Sequence, residues 1–221
     1  MSNISSSQEK IAIKSKLVEE LINLAETDQS TIIREFGKIY KIKDPIKKEE
    51  ALRKIAIEAH KRAHRMMQLL KRVGQPTVDN IGAEASEAVL LLTQHSYLSI
   101  MKEILDIFTA AYAAKKSSIP YKYLPSLIDR VMILEKKQQY YGTQWMLGES
   151  GQPFLVYIKN FAFVNDRRAS YELGPIQRPT DLASTTNRNP LGVGAAQKSD
   201  MHRLSDYDYE QYSKYYLKPL I

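Results

Sequence analysis

No cysteine occurs among the 221 residues, which excludes a disulfide framework, a thiolate metal site and a thiol nucleophile. Long apolar runs are missing as well. The central stretch Ala88 to Leu92 is far short of the roughly 18 residues that a membrane span requires, so no membrane is expected. The opening ten residues have neither the basic start nor the apolar stretch of a secretory signal, and the expected location is a bacterial-type cytoplasm. Three catalytic signatures are also absent: a Gly-x-Ser-x-Gly elbow, a phosphate-binding glycine loop and a dinucleotide fingerprint. Hydrolase, nucleotidyl-transfer and dehydrogenase readings therefore have no motif behind them, and no cofactor is expected.

Positive charge is present in excess. The formal net charge is +7, and the first 75 residues hold 16 of the 32 Lys and Arg against 10 of the 25 Asp and Glu. Such a balance favours anionic partners, but no nucleic-acid reading motif accompanies it and nucleic acid is not the expected partner. His60 and His64 have the i, i+4 spacing of a helical metal pair. Lys61 and Arg62 between them, without the adjacent glutamate of a zincin, argue against a metal site.

Helical periodicity dominates the first two thirds. Ile11, Leu17, Leu21, Ile22 and Leu24 predict a helix over about Ser7 to Ala25, and Ile32, Ile33, Phe36, Ile39 and Tyr40 a second over Gln29 to Ile42. Asp44-Pro45 starts a long helix reaching Val73, closed by Gly74-Gln75-Pro76-Thr77. A central buried helix carries Ile81, Ala85, Ala88, Leu92 and His95. Ile100 to Ala111 gives a further helix, and Tyr121 to Gln139 another. Two strand-like runs, Gln144 to Leu147 and Phe154 to Ile158, flank Gly148-Glu149-Ser150-Gly151 and predict a small β-hairpin. Asn165 is placed to cap a short helix through Glu172. The expected fold is mainly α: a helical bundle over residues 1–178 with a β-hairpin at about 144–158. An extended arm, 179–221, follows and ends in a short helix rich in tyrosine.

Polar residues inside apolar patterns mark the candidate chemistry. Asp129 and Arg130 sit mid-helix among Leu124, Leu127, Ile128, Val131 and Met132, where charges must find partners. Neighbours on a helix point about 100° apart, so each must reach another element. His95 continues the apolar stripe of the central helix. Gln138, Tyr141, Thr143 and Gln144 gather hydrogen-bonding groups around Gly142 at a helix-to-strand junction. A buried salt-bridge network and a functional site fit these residues equally well.

Several short motifs in order resemble an uncharacterised bacterial family of unknown function. They are Asp28-Gln29, Gly74-Gln75-Pro76-Thr77, Gln94-His95, Asp129-Arg130-Val131 and Tyr141-Gly142-Thr143-Gln144, followed by Arg167-Arg168 and Leu173-Gly174-Pro175. Gln75 stands where that family has tryptophan, and Ser96-Tyr97 where it has Ala-Asp. The resemblance covers about Glu26 to Pro175. It implies a shared polar centre of His95, Asp129, Arg130, Gln138, Tyr141 and Gln144, joined by Asp28, Gln29 and Arg34.

The leading functional expectation is a small cofactor-independent enzyme acting on a small polar or anionic substrate. His95 is its acid or base, Asp129 orients it or the substrate, and Arg130 holds an anionic group. The alternative is a non-catalytic partner-binding or accessory subunit of a biosynthetic or defence system, with the C-terminal arm contacting a protein partner.

Overall fold

A computed structural model describes residues 2–39, 41–113, 123–147, 153–179, 191–195 and 201–202, together with 210, 213 and 216. The fold is mainly α, as the periodicity implies. The chain divides into two compact units, one of residues 1–123 with 215–221 and one of residues 124–214.

The first unit is built on α1 (Ser2–Ile39) and α2 (Pro45–Val73). Two helices were expected where α1 runs unbroken. The stretch Glu26-Thr27-Asp28-Gln29-Ser30 contains no glycine or proline, so nothing in it forces the chain out of helical geometry. Asp28 could have served as a cap, but its carboxylate is engaged by side chains of other elements instead of by the backbone. Helix α2 begins where Asp44 accepts hydrogen bonds from the amides of Ile46 and Lys47, with Pro45 in the first turn, and ends at Gly74 with φ +93°.

Beyond the turn, Asn80 donates to the carbonyls of Val73 and Gln75 and ties the turn down. The central helix is interrupted at Gly82, φ +84°, giving a four-residue α3 (Val78–Ile81) and then α4 (Ala83–Gln94). Helix α5 (Leu98–Ala113) completes the unit. Its core is made by Leu17, Leu21 and Ala25 of α1, Ala63, Met66 and Leu69 of α2, Val89, Leu90 and Leu92 of α4, and Met101, Ile104 and Phe108 of α5. Lys14 bonds Asn80 and Asp28 bonds His95, so two cross-links with nearly equal sequence offsets set α1 parallel to α4.

The second unit opens with α6 (Leu124–Leu134), shorter than the expected helix because Lys136 turns left-handed at φ +58°. The expected hairpin is present as β1 (Trp145–Leu147) antiparallel to β2 (Pro153–Val156). A 3-10 turn over Phe161–Phe163 leads into α7 (Val164–Ala169), in which Asn165 is not the cap: its side chain accepts from the amide of Ile176. Strand β3 (Gln177–Pro179) pairs antiparallel with β4 (Leu191–Ala195), and β5 (Met201–His202) adds to β2 in parallel. Leu155, Ile158, Val164 and Ile176 form a small core under Trp145, Tyr157 and Phe161. Most of the tyrosine-rich end expected as a short helix, including Tyr207, Tyr209, Tyr212 and Tyr215, lies outside the described residues. Among the described residues no helix is long and apolar enough to cross a membrane.

Candidate functional site

The polar residues singled out by sequence fall into two groups, one in each unit.

In the helical unit, His95 follows the last turn of α4, where the helix ends for want of further residues in helical geometry (φ −103°, ψ 7°). Its Nδ1 lies 2.6 Å from Asp28 Oδ2. The other carboxylate oxygen, Oδ1, accepts from Arg62 Nε at 2.8 Å. Asp28 is sealed off at 1% exposure, Arg62 retains 11% and the imidazole 22%. The result is graded: a carboxylate in the dry interior, a guanidinium covering it, and a ring reaching outward. With Asp28 accepting, the neutral imidazole carries its proton on Nδ1, which leaves Nε2 as the acceptor. Two donors, Arg62 Nη2 and, on the residue after Asp28, Gln29 Nε2, are buried without a hydrogen-bond partner among the described residues.

The sequence points to Asp129 as the group that orients His95 or the substrate, and only joins Asp28 to the same polar centre. The carboxylate bonded to His95 is that of Asp28. Tyr97, at the position where the resembled family has aspartate, packs edge-on to the buried His60, with ring centroids 5.3 Å apart. Arg62 was overlooked, although its spacing signals it: it lies three residues after Ala59 and four before Met66, both on the buried stripe of α2. Arg34, expected near Asp28 and Gln29, is an exposed residue paired with Glu35.

In the second unit, Asp129 is fully buried and accepts four hydrogen bonds, from the amides of Tyr140, Tyr141 and Thr143 and from the Thr143 hydroxyl. Burial pushes its carboxyl above the usual range, while these donors pull it back. Gln139, not Gln138, is the buried glutamine of the junction. Its Oε1 accepts from the Gln144 amide and its Nε2 donates to the carbonyls of Gln144 and Val156, whereas Gln138 is exposed. Arg130 donates through Nε and Nη2 to Gln144 Oε1, at 3.3 and 3.2 Å.

The two adjacent arginines of α7 complete the loop from the other side. Arg168 bonds the carbonyls of Tyr141 and Gly174 and is itself buried, which lowers its affinity for its proton. Arg167 bonds the carbonyls of Tyr140, Lys159 and Asn160 with its guanidinium 4.3 Å from the Tyr140 ring centroid. Tyr141, buried between Tyr140 and Tyr171, has its phenol pushed far above the ordinary range by desolvation and by Tyr171. Gly142 at φ +68° has no room for a side chain, since a Cβ there would collide with Ile176 and come within 2.6 Å of Ile158. Every element of this loop is held from within.

The arrangement in the second unit is that of a braced loop, and the arrangement in the helical unit is that of an oriented imidazole. Among the described residues no group of three or more His, Asp or Glu is placed to hold a metal ion. No curated protein and no solved structure matches the chain. The model of one family does match it, over residues 15–185, which takes in both groups of polar residues; the chain belongs to the family of unknown function DUF6624.

Proposed function

We propose that this protein is a small, cofactor-independent enzyme of the bacterial cytoplasm that uses His95 as a general acid–base toward a small polar substrate. One observation carries the reading: the 2.6 Å bond from His95 Nδ1 to a carboxylate that is 1% exposed. A buried carboxylate on Nδ1 fixes the ring's orientation and tautomer and stabilises the imidazolium that forms when Nε2 takes a proton. Arg62 balances the buried charge of Asp28 and restrains the carboxylate, so the ring is aimed before any substrate arrives. In the forward step Nε2 accepts a proton from the substrate or from a water attacking it. In the return step the same nitrogen delivers that proton to the leaving or rearranged atom.

The Asp129 centre has a supporting role in this reading. A carboxylate already accepting four hydrogen bonds has little capacity left for a substrate.

The test is conversion of a fractionated bacterial metabolite extract, followed by mass spectrometry. Wild-type protein should deplete at least one component. His95→Ala should abolish that conversion, and Asp28→Asn should slow it by about a hundredfold or more, the scale of a mispositioned general base. Equal depletion by wild type and His95→Ala would overturn the reading.

A further inference from the structure

Helix α5 begins with a contact that its own neighbourhood does not supply. Tyr97 precedes the helix, and its carbonyl accepts the first intrahelical bond, from the Met101 amide at 3.2 Å. Leu98 is then the first helical residue, and its amide is one of the four that a helix leaves without an internal partner. The short side-chain oxygens of Ser, Thr, Asp or Asn satisfy amides at such a start, whereas the hydroxyl of a tyrosine lies too far out on its ring. The Leu98 amide donates instead to the carbonyl of Tyr216, in the C-terminal arm.

This contact falls on the turn that carries His95. On the α4 side the turn is held by the His95 amide on the Leu92 carbonyl at 3.3 Å and by Ser96, whose amide and hydroxyl both donate to the Thr93 carbonyl, at 3.1 and 2.6 Å. Ser96 is itself fully buried. On the α5 side the turn is held by the Tyr97 carbonyl and by Tyr216. His95 lies between the two anchors, and its ring must stay within hydrogen-bonding distance of a carboxylate on α1, so the backbone that carries it has little room to shift. Tyr216 comes from outside the stretch 15–185 that the family model matches, yet residues 215–221 group with residues 1–123. The chain leaves the helical unit after residue 123 and returns to it three residues from His95.

We infer that Tyr216 is a positioning residue for His95. Its carbonyl holds the start of α5 and, through it, the turn on which His95 sits, so the hold of the C-terminal arm sets how firmly the imidazole is aimed at Asp28. The inference rests on the acid–base reading of His95 for its chemical meaning and adds to that site a control from the arm.

The contact is best broken at the amide, because any residue at position 216 brings the same carbonyl. Leu98→Pro removes the N–H at the first helical position, where the fixed φ of proline is accepted, and its ring displaces the Tyr216 carbonyl. Leu98→Ala keeps the amide and is the reference for the lost side chain. The readout in the full chain is the proton on His95 Nδ1, which the bond to Asp28 protects from exchange with water and makes visible by NMR. Leu98→Pro should speed that exchange at least about fivefold over Leu98→Ala, the scale of one lost hydrogen bond. Equal exchange in the two variants would overturn the inference. Should Leu98→Pro not fold, the wild type decides. In sub-denaturing urea the Leu98 amide and the Nδ1 proton should exchange through one opening, with the same dependence on urea. Early exchange of the Leu98 amide while the Nδ1 proton stays protected sinks the proposal. In the extract assay, Leu98→Pro should slow His95-dependent conversion about tenfold or more relative to Leu98→Ala, since a misplacement of about 1 Å costs on the order of a hundredfold. Conversion as fast as that of Leu98→Ala counts against the positioning role. Exchange that follows the expectation, with no His95-dependent conversion in the wild type, would remove the acid–base reading and leave the contact between arm and turn standing.

Discussion

Asp28 decides the chemistry of the helical unit, because a carboxylate at 1% exposure survives only with its charge answered on both oxygens. Replacing it by asparagine leaves Arg62 buried without a counter-charge. The expected cost is about 3 kcal/mol of stability, the usual penalty for breaking a buried pair, readable as a lower urea midpoint with an unchanged slope.

Gly142 has a comparable role in the second unit. Gly142→Ala adds a methyl where Ile158 and Ile176 already sit and forces a left-handed φ on an L side chain, so a loss of more than about 2 kcal/mol is expected. Hydrogen exchange of the Tyr141 and Gln144 amides reports it.

Asp129 adds a pH dependence of defined sign. Its folded-state affinity for a proton is raised, so its contribution to stability is fully present below the ordinary carboxylate range and is lost as pH rises through the elevated value. Asparagine cannot titrate. The stability difference between wild type and Asp129→Asn should therefore shrink as pH is raised from the ordinary carboxylate range, as followed by chemical denaturation at each pH.

At the scale of elements, α2 shows how local chemistry sets a boundary. Asp44 satisfies two amides of the first turn, and Asp44→Ala should cost about 1 kcal/mol, measured by thermal unfolding. This start was legible from Asp44-Pro45, as was the stop at Gly74. The continuity of α1 was not, because polar residues such as Thr27, Asp28 and Ser30 lower helix propensity without forbidding helix, and packing against α2 and α4 made up the difference. The end of α6 was misplaced for a related reason. No glycine or proline interrupts Glu135 to Gln139, but the backbone turns left-handed at Lys136 so that Asp129 can collect the amides of residues 140, 141 and 143.

At the scale of the whole molecule, the family match runs from residue 15, inside α1, to residue 185, beyond β3, so it spans polar centres of two different kinds. One orients a histidine, and the other organises a loop with an internal carboxylate, a buried glutamine and two arginines. The excess of positive charge, which suggested anionic partners, is a property of the chain as a whole and does not by itself describe any one site. Net charge sums over the surface, whereas a ligand meets only the side chains within a few ångströms.

The amino-acid sequence by itself determined the mainly helical class, the limits of α2, the hairpin and the positions where polar residues interrupt apolar patterns. Each of these follows from periodicity or from turn chemistry acting over a few residues. Tertiary structure alone decided which polar residues meet. His95 pairs with Asp28, 67 positions earlier, because α1 and α4 lie side by side, and Asp129 is enclosed by a loop instead. Pairings over such separations depend on how helices pack, and packing depends on the shapes of whole faces, which no short motif encodes.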